Sequence, residues 1–169
     1  MIRRVLAVAA VIVTALLIQS TIFADLRLLG VRPELLYLVT VVVAFLEGPG
    51  EGAVIGFVSG LAQDLLLNEP KGILALTLTL LGYTMGTLRQ FIVSPSPFLP
   101  VVLVSLGTFA GVCFYAVVSF LLGNFDNSMG FAVRVAALSA LYNAILTPIL
   151  FPVLRRIFAG SRPRRVVRF

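Results

Sequence analysis

One carboxylate, Asp64, stands at the end of a ladder of glycines, in the segment Gly52-Ala-Val-Ile-Gly56-Phe57-Val-Ser-Gly60-Leu-Ala-Gln-Asp64-Leu. Gly52, Gly56 and Gly60 recur every fourth residue, and the next step lands on Asp64. In a helix this spacing puts a side-chain-free groove on one face and the carboxylate at its end. The surroundings are apolar, so the groove is expected in lipid, where a charged group is expensive and needs a reason. Three kinds of chemistry fit an acid in that place: a proton relay, a ligand contact or a partner contact. The plainer alternatives are an acid at a helix end that reaches interfacial water, or one paired with Arg134. Relays normally need a chain of ionisable groups, and none of the other acids (Asp25, Glu34, Glu47, Glu51, Glu69, Asp126) lies well inside an apolar run.

The elements that must hold this residue follow from composition. The chain has 169 residues, 60% of them hydrophobic and only 12% charged. A soluble domain is about half apolar and a quarter charged. The expected class is an all-α integral membrane protein, a single bundle with short loops. The one cysteine, Cys113, cannot form an internal disulfide, and histidine is absent. Zinc, haem and iron–sulfur sites are therefore not expected, nor is any other cofactor. No nucleophile–base pair and no phosphate-binding loop is visible. The glycine ladder follows no strand, so it is no dinucleotide fingerprint. The expectation is a protein that is not an enzyme.

Six apolar segments give transmembrane helices at about 5–24, 33–46, 52–67, 73–93, 98–122 and 131–158, a single domain over 1–158, with a basic tail at 159–169. The first, after Arg3 and Arg4, resembles a signal peptide but is long and lacks an Ala-x-Ala cleavage site, so it reads as an uncleaved span. The second, with Pro33 and Glu34 at its start, would be about 21 Å long, short of a hydrocarbon core of about 30 Å. The second and third segments then either cross a thinned bilayer or form a hairpin entering and leaving on one side; two short spans are the preferred reading. Between them, Glu47-Gly-Pro-Gly-Glu51 reads as a tight acidic turn centred on Pro49-Gly50.

Orientation follows from the basic residues. Six spans put Arg3, Arg4, Arg89, Arg155, Arg156, Arg162, Arg164, Arg165 and Arg168 on one side, and Arg27, Arg32, Lys71 and Arg134 on the other, nine against four. Both termini are expected in the cytoplasm of a bacterial inner membrane protein. The tail suits anionic membrane lipids; basic charge confined to a tail does not suit nucleic acid.

Small residues at four-residue spacing recur elsewhere: Gly82 and Gly86 in the fourth segment, Gly107 and Gly111 in the fifth, and Ala132, Ala136, Ala140 and Ala144 in the sixth. Lipid gives helices little hydrophobic reason to associate, so close backbone contact must supply it. Most of these faces are expected to pack the bundle; four of them leave one to spare for a partner. Asn143, mid-span in the sixth segment, needs a hydrogen-bond partner on another helix. The helix-contact or partner-binding candidates are Gly52, Gly56, Phe57, Gly60, Asp64, Gly82, Gly86, Ala136, Ala140 and Asn143.

Pro33-Glu-Leu-Leu, then Gly56-Phe57-x-x-Gly60-Leu61-x-x-Asp64-Leu65, Gly72, Gly82-Tyr83-x-x-Gly86 and Tyr142-Asn143-x-x-x-x-Pro148 resemble the MreD family of bacterial rod shape-determining proteins. The resemblance implies a non-enzymatic membrane scaffold of the cell-elongation complex. It implies association with an MreC-like single-span protein. It further implies work alongside the MreB filament, the RodA glycosyltransferase and a class B penicillin-binding transpeptidase to organise sidewall peptidoglycan synthesis. The family also looks like the substrate-binding subunits of energy-coupling-factor vitamin transporters, six-helix bundles of similar size, which is the alternative reading. Those subunits usually carry an Ala-x-x-x-Ala docking face on the first helix, which Ala7, Ala9, Ala10 and Ala15 do not provide. A ligand cavity would also need several convergent polar groups, and the sequence offers few.

Overall fold

The computed structural model describes residues 2–25, 34–66, 72–92, 98–123 and 129–159. All regular structure among them is helical: α1 (Ile2–Asp25), α2 (Leu35–Glu47), α3 (Pro49–Leu66), α4 (Ile73–Leu88), a 3-10 turn (Arg89–Phe91), α5 (Leu99–Leu121) and α6 (Met129–Ala159). Pro33, Arg27, Arg32, Lys71 and the tail from 160 onward lie outside the described residues. Two helices are long and apolar enough to cross a membrane by themselves, Leu99–Leu121 and Gly130–Phe158, and two shorter apolar helices run over Leu6–Thr21 and Leu35–Glu47.

The organising element is α2. Its thirteen residues, Leu-Leu-Tyr-Leu-Val-Thr-Val-Val-Val-Ala-Phe-Leu-Glu, have no polar face. A helix that is apolar all round belongs inside a protein or a membrane. Here every residue from Leu35 to Ala44 is buried, and α2 packs against α1, α3, α4, α5 and α6. Leu36, Leu38, Val41, Val42 and Val43 form the centre of the core with Leu78 and Val104. The short α2, about 20 Å at 1.5 Å per residue, is thus surrounded by protein on its sides. The outer helices turn large apolar residues outward, among them Leu6, Val54, Leu76, Leu106 and Ile145. That arrangement suits a lipid solvent.

The junction between α2 and α3 is tighter than the Pro49-Gly50 turn expected from the sequence. A single residue, Gly48, makes it: Gly48 N–H donates to the Ala44 carbonyl at 2.9 Å, and the Gly48 carbonyl accepts from Gly52 N–H at 3.0 Å. Gly48 has φ of 105°, a conformation that favours glycine. Pro49 opens α3, where its fixed φ suits a first helical position and its missing N–H has no partner to lose. The fourth helix also stops earlier than the expected 93. It is α-helical to Leu88 and tightens into the 3-10 turn, with Ile92 already extended.

A candidate functional site at the two ends of the α3–α4 hairpin

The glycine ladder meets its counterpart on the neighbouring helix. A Cβ on Gly52 would lie 2.5 Å from the Ala44 Cβ and 2.7 Å from the Gly82 carbonyl oxygen; one on Gly60 would lie 2.6 Å from the Ala75 Cα. A Cβ on Gly56 would run into the Leu78 carbonyl, and one on Gly82 into the Gly52 carbonyl. Gly86 meets Pro49, whose Cα would be 2.5 Å from an added Cβ. The α3 groove is therefore occupied by α4, backbone against backbone, along its whole length. Phe57 lies off the groove and is 50% exposed. The fifth helix follows the same logic against side chains: Gly111 makes room for the Tyr37 ring and Gly107 for Val41. On α6, Ala132, Ala136 and Ala140 are buried, while Ala144 is half-buried.

Asp64 has neither of the plainer roles expected for it. It is 1% exposed, so it does not reach interfacial water, and among the described residues it makes no ion pair with Arg134, whose side chain is exposed. Its Oδ2 instead accepts the backbone N–H of Gly72 at 2.9 Å and of Ala75 at 3.1 Å. These are free amides at the start of α4, a helix whose first residue is preceded by Gly72 in the left-handed region (φ 102°). A glycine there has no side chain to cap the helix, and the acid eight residues earlier supplies the missing acceptor. The reason for a carboxylate in this apolar setting is thus structural in part: it sits at the positive end of the α4 dipole. Its second oxygen, Oδ1, is buried and has no hydrogen-bond partner among the described residues.

Asn143 finds the partners its position demands. Its Nδ2 donates to the Glu34 carbonyl at 2.9 Å and to Thr108 Oγ1 at 3.0 Å. This fastens α6 to the start of α2 and to α5, and Thr147 Oγ1 donates to the Asn143 carbonyl at 2.6 Å. At the opposite end of α2, Arg89 plays the matching part. Its Nη1 donates to the Leu46 carbonyl at 2.7 Å, and its guanidinium lies 5.8 Å from the centre of the Phe45 ring. A cation on the last carbonyls of a helix is favourable there. In the sequence Arg89 stands out only as an orientation signal.

Next to Asp64 the bundle is hollow. A cavity of about 290 Å³ lies over the first turn of α2 and reaches all six helices. Its polar wall is made by Gln19, Glu34, Tyr37, Gln63, Asp64 and Tyr115. The helices around it differ in length: α5 and α6, with 23 and 31 residues, run about 35 and 46 Å, and the central helix about 20 Å. The expectation that polar groups are too few for a cavity is corrected here. They are few on any one helix, but the fold collects one or two from each of α1, α2, α3 and α5. The visible hint was Gln63, a second polar residue beside Asp64 in an otherwise apolar stretch.

The family model for the rod shape-determining protein MreD matches residues 1–157. The chain belongs to the MreD family. It is accordingly a member of a family of shape-determining membrane proteins, and its apolar helices agree with a place in the membrane. No curated protein and no solved structure matches the chain. Within this MreD-family fold nine of the ten sequence candidates fall into two groups, and Phe57 stands apart. Gly52, Gly56, Gly60, Gly82 and Gly86 close the α3–α4 hairpin, while Asp64 sits at its far end beside the cavity. Ala136, Ala140 and Asn143 belong to the contacts of α6, and Phe57 faces outward.

Proposed function

We propose that this MreD-family protein is a non-enzymatic scaffold of the cell-elongation complex. It resides in the bacterial cytoplasmic membrane as six spans with both termini in the cytoplasm. It binds an MreC-like single-span protein and, with the MreB filament, the RodA glycosyltransferase and a class B penicillin-binding transpeptidase, helps organise sidewall peptidoglycan synthesis. The observation that carries the reading is the family match across residues 1–157. Supporting it, the close-packing faces are engaged inside the bundle and the outer faces are broad and apolar. A rigid intramembrane body of that kind suits lateral docking of another helix. The test is co-purification from a detergent-solubilised membrane: recovery with a single-span, coiled-coil partner, and loss of rod shape on depletion, support the scaffold. Rod-shaped cells after depletion, with no such partner recovered, refute it.

The cavity favours a second reading, the substrate-binding subunit of a small-molecule (vitamin) transporter, since ligand sites lie between helices and combine an apolar wall with a few placed polar groups. Saturable binding of a vitamin by the purified chain, together with vitamin uptake that depends on it, would replace the scaffold with this function.

A further inference from the structure

Among the described residues, three that line the cavity each carry a buried oxygen without a hydrogen-bond partner: Gln19 Oε1, Gln63 Oε1 and Asp64 Oδ1. Gln63 is 7% exposed and Asp64 1%, and both line the cavity. A buried polar atom with no partner carries a penalty of about 1–3 kcal/mol, so three acceptors around one hollow call for an occupant that donates. All three are acceptors, from two different helices, and the described lining residues include no Lys or Arg. The described wall also carries two acids, Glu34 and Asp64, with Gln19 Nε2 donating to Glu34 Oε2 at 3.3 Å. Three aromatic rings, those of Tyr37, Tyr115 and Phe131, complete the wall, and such rings attract cations across their faces.

The geometry points to a ligand site for a compact primary ammonium group, a cation with several N–H donors. At about 290 Å³ the space is at the small end of ligand pockets, enough for a small amine or a headgroup and not for a large cofactor. Ser20 and Leu66, both exposed, stand at its edge, so the cavity opens at the surface of the bundle. Two sources present this chemistry there: a free amine, or the ethanolamine headgroup of a membrane lipid. The site is a property of the bundle beyond the scaffold role and stands or falls independently of it.

The test uses the full chain purified in detergent, with two probe pairs. Ethanolamine and choline, titrated against the thermal unfolding midpoint, compare an N–H donor with a trimethylated cation of the same charge. Phosphatidylethanolamine and phosphatidylcholine, followed by native mass spectrometry, make the same comparison within a lipid. The expected result is saturable binding of the ethanolamine member of one pair, weaker by about tenfold or more for the choline member, because the site's acceptors are then left without donors. Which pair responds identifies the source. Gln63→Leu should weaken the binding by about tenfold, and Gln19→Leu, on another helix, should do the same in direction. Absence of saturable binding in both pairs shows a cavity holding water only and overturns the proposal. So does equal binding of the choline members, unaffected by Gln63→Leu and Gln19→Leu.

Discussion

The two ends of the α3–α4 hairpin are built on opposite principles. At the Gly48 end, Gly52, Gly82, Gly86 and Pro49 bring two backbones together with no side chains between them, and Arg89 ties the last turn of α2 to the outgoing chain. At the Asp64 end one carboxylate oxygen holds the start of α4 in place, and a cavity lined with polar groups lies beside it. The first end is filled by glycines because only they allow that approach; the second borders a cavity. The lesson is that one sequence pattern, small residues every fourth position, produces dense packing only while a partner backbone continues alongside. Where it stops, the next residue in register, Asp64, faces a helix terminus and open space.

The largest effect should come from filling the dense end. Gly82→Leu would drive a side chain into the Gly52 carbonyl, with backbone on both sides unable to yield; a loss of about 3 kcal/mol or more is expected, beyond ordinary overpacking. Gly50→Ala is the matched control, since nothing lies within 4 Å of a Cβ there. Its unfolding midpoint should stay within a few degrees of the wild type. If both substitutions were equally tolerated, the contrast between the ends would vanish.

A smaller effect is expected at the other end. Asp64→Ala removes the acceptor for two amides and should destabilise by about 1–2 kcal/mol, the usual range for losing a helix cap. Asp64→Asn keeps an acceptor oxygen and should recover most of that loss. Denaturation of the three proteins side by side checks this, and an alanine variant as stable as the wild type would remove the capping role. Rod-shape complementation adds a second readout: full activity in Asp64→Asn would exclude a titrating role while leaving the hydrogen bond in place. Arg89→Ala should come next, at about 1 kcal/mol from the lost carbonyl and ring contacts, with Arg89→Lys intermediate. The smallest change is expected for Gln63→Leu without ligand. Replacing an unpartnered buried amide with an apolar group should be neutral or slightly stabilising; a marked loss of stability would mean the amide is satisfied in the folded protein.

Much of this was written plainly in the chain. The helices follow from long apolar runs, and the central place of α2 follows from a segment with no polar face at any angle. The glycine ladders of α3 and α4 announce a close contact, though not that they would meet each other. The partners of Asp64 left no trace, because they are backbone amides, and every residue but proline carries one. Asn143 needed a partner, but nothing local named the Glu34 carbonyl, 109 positions away. The cavity was hidden for a similar reason. Gln19, Gln63 and Tyr115 are each a single polar residue on an apolar helix, and only the fold brings them to one wall. The turn at Gly48 was misplaced by one or two residues because Pro49-Gly50 carries a turn signature that also fits a helix start.

Central to this account is that the α3 groove belongs to the bundle and is not held open for another protein. Gly56→Ala, measured in the isolated chain with no partner present, addresses it most directly. The Leu78 carbonyl already occupies the space a methyl group would take. The isolated variant should therefore lose about 2–3 kcal/mol and unfold about 5–10 °C below the wild type. An unchanged midpoint in the isolated chain, with only the complex lost on co-purification, would show that the groove faces a partner and would contradict the account.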